Sequence, residues 1–174
     1  MACHLKEHKG VANVINAFHE AFSEKDDVRL LIAGDGNERK HLEKIVIDLQ
    51  ESSRISFIGR YSRSDITRIF TQADAFVLVS EVEPFGIVYI EALMCGLPCI
   101  GTAGQGAEDI IDDSNGIKVE YGDIESLANA MRKIYSEISA YNPQLIRQQC
   151  MEKFSYNSVC QQIEGRYATL VQKS

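Results

Sequence analysis

The sequence predicts an α/β fold: a doubly wound parallel sheet, covered by helices on both faces and followed by a helical tail. Short apolar runs alternate with segments of helical periodicity as far as about residue 122. The runs are continuously apolar, which is typical of parallel strands buried on both faces. Residues 123–174 show helical patterns without a strand-like run. We therefore interpret the 174 residues as one domain, with a sheet core over 1–122 and the tail over 123–174.

Predicted strands and helices alternate in chain order. Residues 1–5 are interpreted as the end of a strand whose beginning is missing, and a helix with an apolar stripe follows Gly10. Five further strands are predicted over residues 29–33, 55–58, 75–79, 99–101 and 117–119. Later helices are predicted over residues 37–50, 64–72, 87–95, 124–139, 143–153 and 157–172, with caps at Asn37, Ser64 or Asp65, and Asp123.

Composition excludes several classes of protein. The net charge of -7 and the pI near 5.1 argue against nonspecific nucleic-acid binding, which needs clustered Lys and Arg. The five cysteines have no metal-like spacing, so they are interpreted as reduced thiols of a cytoplasmic protein. No signal peptide and no apolar run of transmembrane length is present. Peripheral association with the inner face of a membrane, through a partner domain, remains an alternative.

Three loops are candidates for ligand binding, because ligands of parallel sheets bind beyond the carboxyl ends of the strands. These loops are residues 34–36, 80–86 and 102–106. Gly34 and Gly36 either contact a ligand or only turn the chain out of its strand. Gly104 and Gly106 are expected to let their loop approach the ligand closely.

Two carboxylates, Glu83 and Glu91, form the most informative feature, with seven residues between them at a predicted strand-to-helix switch. Glu91 is the only charged residue between Glu83 and Glu108, and a carboxylate on a mostly buried helix is costly unless it is paired. Ionised carboxylates only accept hydrogen bonds, so they suit the hydroxyls of a sugar or ribose. Alternatively, Glu91 pairs with a neighbouring Lys or Arg, and Glu83 is a solvated residue favoured by the helix dipole.

The order of these motifs resembles the carboxy-terminal, Rossmann-like domain of the group 1 retaining glycosyltransferases, which have the GT-B fold. The resemblance covers residues 4–123, and the helical tail also fits. Its motifs are Lys9-Gly10, Ile32-Ala33-Gly34-Asp35-Gly36, Ile58-Gly59-Arg60, Ala73-Asp74, Ser80-x-x-Glu83-x-Phe85-Gly86-x4-Glu91-Ala92, Cys95-Gly96-Leu97-Pro98 and Gly104-x-Gly106. The segment from Glu83 to Pro98 is the most specific of them.

The resemblance implies the donor-binding half of an enzyme that transfers a hexose from a nucleotide-diphosphate sugar to a saccharide or lipid-linked acceptor, in a polysaccharide or glycoconjugate pathway. It also implies that the amino-terminal acceptor domain is absent from this chain, and that the isolated domain is inactive. The alternative is a non-catalytic nucleotide-sugar-binding module that acts with a partner chain.

The resemblance also assigns roles to residues. Glu83 would contact the donor sugar, and Glu91 would accept from the ribose hydroxyls. Lys9 would neutralise the diphosphate as the nucleotide departs, so Lys9 and Glu83 are the catalytic candidates. The segment Pro84, Phe85, Gly86 and Ile87 would place backbone amides at a helix N-terminus, where they hold a diphosphate or the sugar.

One position departs from the family pattern. The family has an arginine five residues before the lysine, where this chain has His4. Either His4 is a weaker donor, since histidine is only partly protonated near neutral pH, or Arg60 or Lys6 supplies the second cation. We expect no cofactor and no metal, because the helix dipole and basic side chains do that work in the family.

Overall fold

All strands of the fold run parallel. A computed structural model describes residues 1–25 and 27–171 of the chain. One sheet pairs β1 with β2, and the second has the order β3-β4-β5. The strands are β1 (Leu30–Ala33), β2 (Ile55–Gly59), β3 (Phe76–Val77), β4 (Cys99–Thr102) and β5 (Gly116–Val119). The five predicted strands are thus confirmed, with β3 shorter than expected.

The segment from Met1 to Leu5 lies beside β1. Ala2 forms a parallel bridge with Ala33, and the Cys3 N–H donates to the Ala33 carbonyl at 3.0 Å. The prediction of a strand end at residues 1–5 is therefore confirmed, as a single bridge in the parallel direction. This segment brings the start of the chain to the same edge where the loops after β1 and β3 emerge.

Seven α-helices are found in the described residues. They are α1 (Val11–Phe22), α2 (Arg39–Asp48), α3 (Ile66–Phe70), α4 (Ile87–Met94), α5 (Ile124–Glu137), α6 (Pro143–Phe154) and α7 (Tyr156–Val171). The predicted end of the last helix at Gln172 lies outside the described residues. Three helices thus follow β5, so the predicted helical tail is confirmed.

Two of the predicted helix starts need correction. Glu38, not Asn37, precedes the first residue of α2, and no side chain caps that helix. Asp65 directly precedes α3, as one of the two predicted caps, but its side chain does not cap that helix, and residues Arg63–Asp65 form a 3-10 turn. In this turn the Asp65 carboxylate accepts from the Ser62 N–H at 3.0 Å. Short polar side chains compete for such local hydrogen bonds, and which of them caps the helix depends on the turn that precedes it.

The apolar face of α1 explains how the tail attaches to the sheet core. Val14, Ile15 and Phe18 of α1 are buried at helical spacing, and α1 packs against α5. The Asp123 carboxylate caps α5 by accepting from the Ser126 N–H at 2.9 Å, as predicted. A second contact joins the tail to the sheet core, because α6 packs against α4 and its Cys150 is buried.

The two ends of the strands differ in chemistry. An apolar groove of about 620 Å³ lies between β1 and β3 at their amino ends, with Leu30, Phe76 and Ile134 in its lining. The polar loops lie at the carboxyl ends. Over the described part of the chain, the predicted ligand-binding residues do not line the groove, so it is separate from the site below. In the same residues no helix is both long enough and apolar enough to cross a membrane.

Candidate functional site

An ion pair between Lys9 and Glu83 lies at the carboxyl end of β3. Lys9 ends a 3-10 turn (Glu7–Lys9) just before α1, and Glu83 lies in the loop between β3 and α4. The Lys9 Nζ is 2.7 Å from the Glu83 Oε2, although the two residues are 74 positions apart in sequence. Their side chains are 18% and 15% exposed, so the pair is partly desolvated and still open to the solvent side. The two catalytic candidates are therefore in direct contact.

The other carboxylate oxygen of Glu83 contacts the start of α4. The Gly86 N–H donates to the Glu83 Oε1 at 3.2 Å. Gly86 has a φ of +78°, and a Cβ there would lie 2.5 Å from the Tyr89 ring, so this turn needs glycine. Glu83 thus bridges a lysine ammonium and a helix N-terminus, the two positively charged features of the site.

The loop after β4 packs beneath Glu83. The Gly106 N–H donates to the Glu83 carbonyl at 2.6 Å, and the Glu83 N–H donates to the Gln105 side-chain oxygen at 3.2 Å. Gly106 therefore holds the Glu83 loop in place. Gly104 is exposed, and its N–H donates to the Glu108 carboxylate at 2.9 Å. Ligand contacts for both glycines stay predictions.

A second cluster forms around Asp35, at the carboxyl end of β1. The Asp35 carboxylate accepts from the Gly36 N–H at 2.9 Å and from the Arg60 Nε at 3.1 Å. These two bonds, with that of Gly36 the stronger cause, hold the pKa of Asp35 below its usual range. His4 contacts the Asp35 carbonyl through Nδ1, which must be the donor because a carbonyl only accepts. His4 and Arg60 thus converge on one residue.

Gly34 and Gly36 allow the backbone of the first five residues to approach β1. A Cβ on Gly34 would lie 1.8 Å from the Cys3 carbonyl oxygen, and one on Gly36 would lie 2.1 Å from the Leu5 carbonyl oxygen. Both glycines are therefore required by close backbone packing, which is the structural alternative left open by the sequence. Ligand contact at either glycine remains a prediction.

Glu91 lies on α4 and has one ionic partner in the described residues. Its Oε1 is 3.7 Å from the Arg63 Nε, with the two side chains 27% and 85% exposed. A pair this long, on so exposed an arginine, adds little to stability. Burial raises the pKa of Tyr61, and the nearby charges of Cys3 and Glu91 raise it further. Tyr61 and Arg63 both lie in the loop that follows β2.

Apolar side chains form the rim beside the ion pair. Pro84, Phe85 and Ile87 are exposed next to Glu83. Their position at the N-terminus of α4 matches the prediction for this segment, since the first turn of a helix leaves backbone N–H groups without intrahelical partners. Lys9, Glu83 and the N-terminus of α4 lie together, and Glu91 lies further along the same helix. These groups suit a ligand that carries both negative charge and hydroxyl groups.

Four polar residues of this edge were not among the predicted site residues: Asp35, Tyr61, Arg63 and Gln105. Asp35 and Gln105 each lie between two glycines that had been singled out. Tyr61 and Arg63 follow β2 directly, and the rule on the carboxyl ends of parallel strands, applied to β2 as to β1 and β3, would have found them.

Metal and thiol chemistry gain no support from the geometry. In residues 1–25 and 27–171, no group of three or more His, Cys, Asp or Glu side chains is arranged to hold a metal ion. Cys3 lies near the ion pair, but burial raises the pKa of its thiol to about 11, which disfavours the reactive thiolate. That the site works without a metal stays a prediction.

Comparison with known protein families shows to which family this chain belongs. The profile of the family described as glycosyl transferases group 1 matches residues 1–146. The chain belongs to the group 1 glycosyltransferases. It is 30% identical over 162 residues to the N-acetyl-alpha-D-glucosaminyl L-malate synthase of Bacillus anthracis, covering 91% of this chain and 42% of that protein. It is 37% identical over 135 residues to the lipopolysaccharide core biosynthesis glycosyltransferase LpsE of Rhizobium meliloti, covering 76% and 38%.

Solved structures confirm the predicted fold of this group 1 glycosyltransferase chain. The sucrose-phosphate synthase of Thermosynechococcus elongatus matches with a TM-score of 0.82 and 25% identity, covering 98% of this chain and 44% of that one. HepE of Anabaena, solved in complex with UDP, matches with a TM-score of 0.84 and 24% identity, covering 97% and 47%. The chain thus has the Rossmann-like fold of a GT-B domain and spans less than half the length of these proteins.

Proposed function

We propose that this chain is the donor-binding half of a retaining enzyme that transfers a hexose from a nucleoside diphosphate sugar to a saccharide or lipid-linked acceptor. The contact of Lys9 with Glu83 at the N-terminus of α4 carries the proposal, because it places a cation and a hydroxyl acceptor side by side. Membership of the group 1 family supports it. HepE, solved with UDP and glucose, and the Bacillus and Rhizobium relatives add further support.

Each charged group has a distinct part in the proposed reaction. Lys9 and the amides from Phe85 to Ile87 hold the diphosphate, and they stabilise the negative charge that grows on it as the glycosidic bond breaks. Glu83 accepts from the sugar hydroxyls and orients the sugar. Glu91 accepts from the ribose hydroxyls. The bond between the anomeric carbon and the diphosphate oxygen breaks, and the acceptor oxygen forms a new bond to that carbon on the same face of the sugar, so that configuration is retained. The departing diphosphate takes the proton of the acceptor hydroxyl.

The acceptor side of the cleft lies outside this chain in the proposal. The chain covers 42% and 38% of the two curated relatives, so a second domain would hold the saccharide or lipid-linked acceptor. We therefore expect the 174-residue chain to bind nucleotide weakly and to transfer no sugar. The five unpaired cysteines fit the cytoplasm, the proposed compartment.

The proposal is tested by calorimetric titration of the chain with UDP, GDP and ADP, and with their glucose and mannose conjugates. We expect saturable binding of one nucleotide series that is lost in Glu91→Ala. Glu81→Ala is the matched control, since Glu81 is an exposed carboxylate of the same loop as Glu83. If the folded chain binds none of these ligands, or if Glu91→Ala binds as tightly as the control, the proposal is wrong.

The metal-free site is a separate expectation. Lys9 and the N-terminus of α4 supply positive charge where the diphosphate would lie, so no divalent cation is needed there. Donor affinity should be unchanged by EDTA in the same titration. Affinity that disappears with EDTA and returns with magnesium would contradict this expectation.

A further inference from the structure

We infer that Glu83 makes the site prefer a nucleotide sugar over the bare nucleoside diphosphate, because its carboxylate competes with the diphosphate for Lys9. The inference rests on the proposed function and extends it. Glu83 thereby acts on the nucleotide and on the product, in addition to its contact with the donor sugar.

Glu83 is the ionic partner of Lys9 within the protein. Lys9 Nζ and Glu83 Oε2 are 2.7 Å apart, the length of a charge-assisted hydrogen bond. Both side chains are more than four-fifths buried, so solvent and salt screen their attraction poorly. The Lys9 ammonium is therefore held by a negative charge of the protein itself.

The other oxygen of the same carboxylate also has a partner within the protein. The Glu83 Oε1 accepts from the Gly86 N–H at the start of α4. Both donors held by Glu83 are thus groups that the proposed function assigns to the ligand. A single backbone N–H serves one acceptor at a time, and two anions held by one ammonium repel each other, so the carboxylate and a diphosphate oxygen compete for these donors.

The two ligands differ in the hydrogen-bond donors that they offer to the Glu83 carboxylate. A bare nucleoside diphosphate draws away the Lys9 ammonium and leaves a mostly buried carboxylate short of a donor, which is costly. A nucleotide sugar brings hydroxyl groups that donate to that carboxylate as it releases Lys9. The sugar thus compensates for the broken ion pair, and binding of the bare nucleotide is selectively weakened.

This exchange also favours release of the product. Once the sugar has been transferred, the hydroxyl donors leave the site and Glu83 regains Lys9. The nucleoside diphosphate then loses its cation to the protein. A site that binds its product less tightly than its substrate avoids inhibition by the product.

Replacement of Glu83 by glutamine separates the charge from the size of the side chain. In Glu83→Gln the Lys9 ammonium has no competing anion, so affinity for the bare nucleotide should rise about tenfold. Affinity for the nucleotide sugar should fall about tenfold, because the amide oxygen is a weaker acceptor for the sugar hydroxyls. The preference between the two ligands is then reversed.

The experiment titrates UDP, GDP and ADP and their glucose and mannose conjugates into the wild-type chain, Glu83→Gln, Lys9→Met and the control Glu81→Gln. Lys9→Met should weaken both ligands, and Glu83→Gln in that background should no longer tighten the bare nucleotide. Should Glu83→Gln fail to fold by circular dichroism, Glu83→Asp replaces it, since its shorter carboxylate should tighten the bare nucleotide to a smaller extent.

The outcomes separate the two proposals. If the wild-type chain binds nucleotide sugar but Glu83→Gln weakens or leaves unchanged the bare nucleotide, the inference is wrong and the proposed function stands. If the wild-type chain binds neither ligand, the proposed function fails, and the inference falls with it. Tightening that also occurs in Glu81→Gln would reflect the net charge of the loop and would overturn the specific role of Glu83.

Discussion

Two ion pairs in this protein are both shielded from solvent and yet differ in their surroundings. Glu51 and Arg54, at the start of β2, are 2% and 8% exposed. Glu51 accepts from Arg54 Nε at 2.9 Å and from Arg54 Nη2 at 2.5 Å, and His19 adds a bond at 2.8 Å. Arg54 also donates to the backbone carbonyls of Phe22 and Lys25. All of these partners are groups of the protein that lie outside the candidate site.

The Lys9–Glu83 pair is shielded less and has fewer partners. Glu83 holds one ammonium and one backbone N–H, and it lies in the loop between β3 and α4. A buried ion pair stabilises a fold only when its remaining hydrogen-bonding capacity is satisfied. The Glu51 cluster meets that condition within the protein, whereas the Lys9 pair leaves capacity for a ligand. The comparison predicts that mutations of the first pair change stability and mutations of the second change binding.

The largest expected effect is on stability, in Arg54→Leu. Removal of Arg54 leaves Glu51 buried without its main partner, and the free energy of unfolding should fall by about 3–5 kcal/mol. Urea denaturation followed by circular dichroism measures the change. The matched control is Arg68→Leu, because Arg68 pairs with Asp65 at the same i,i+3 spacing on an exposed surface, where about 0–1 kcal/mol is expected. Equal losses in the two variants would contradict the comparison.

Lys9→Met should change ligand binding more than stability, which is the reverse of the effect expected for Arg54→Leu. Affinity for the nucleotide sugar should fall about 10- to 100-fold, since a charge-assisted contact to the diphosphate is lost. The free energy of unfolding should change by only about 1–2 kcal/mol, because Glu83 keeps the Gly86 N–H and contact with solvent. Titration and urea denaturation of the same sample measure both quantities. If stability falls as much as in Arg54→Leu while binding is unchanged, Lys9 stabilises the fold and does not bind the ligand.

A smaller effect is expected on the pH dependence of stability, through Glu51 and its partners Arg54 and His19. Burial alone would raise the pKa of Glu51, but the bonds from His19 and Arg54 outweigh it, so this pKa lies below its usual range. A lowered folded-state pKa contributes stability that is present above the unfolded pKa, near about 4.3, and is lost as pH falls through the folded value. The unfolding free energy should therefore drop below about pH 4.3, and Glu51→Gln should reduce that slope. An unchanged slope in the variant would show that other carboxylates cause it.

Arg63→Ala should have the smallest effect. Its contact with Glu91 spans 3.7 Å on an exposed arginine, so the free energy of unfolding should change by less than about 0.5 kcal/mol. Nucleotide affinity should stay within about threefold, as Glu91 keeps its position on α4. A larger loss of stability would support the alternative in which Glu91 is mainly a structural carboxylate. Urea denaturation and calorimetric titration distinguish these results.

Local sequence signals predicted a helix start correctly where the interactions that determine it lie within one turn of the chain. Asp123 caps α5 through a residue three positions away, and α4 begins after Gly86 as its motif predicted. Asn37 shows the limit of such signals, since it also has a capping side chain and yet α2 begins after Glu38. Helix caps depend on the geometry of the preceding turn, which residue type alone does not specify.

The sequence by itself determined the α/β class, the order of strands and helices, and the edge of the sheet where the site lies. Hydrophobic periodicity and turn residues are local properties, and the edge follows from strand direction. Only the tertiary structure decided that Lys9 meets Glu83 across 74 residues, and that Arg54 reaches the Phe22 carbonyl across 32. Contacts between residues so far apart depend on the packing of several elements at once, and a change of a few ångströms in that packing makes or breaks a hydrogen bond.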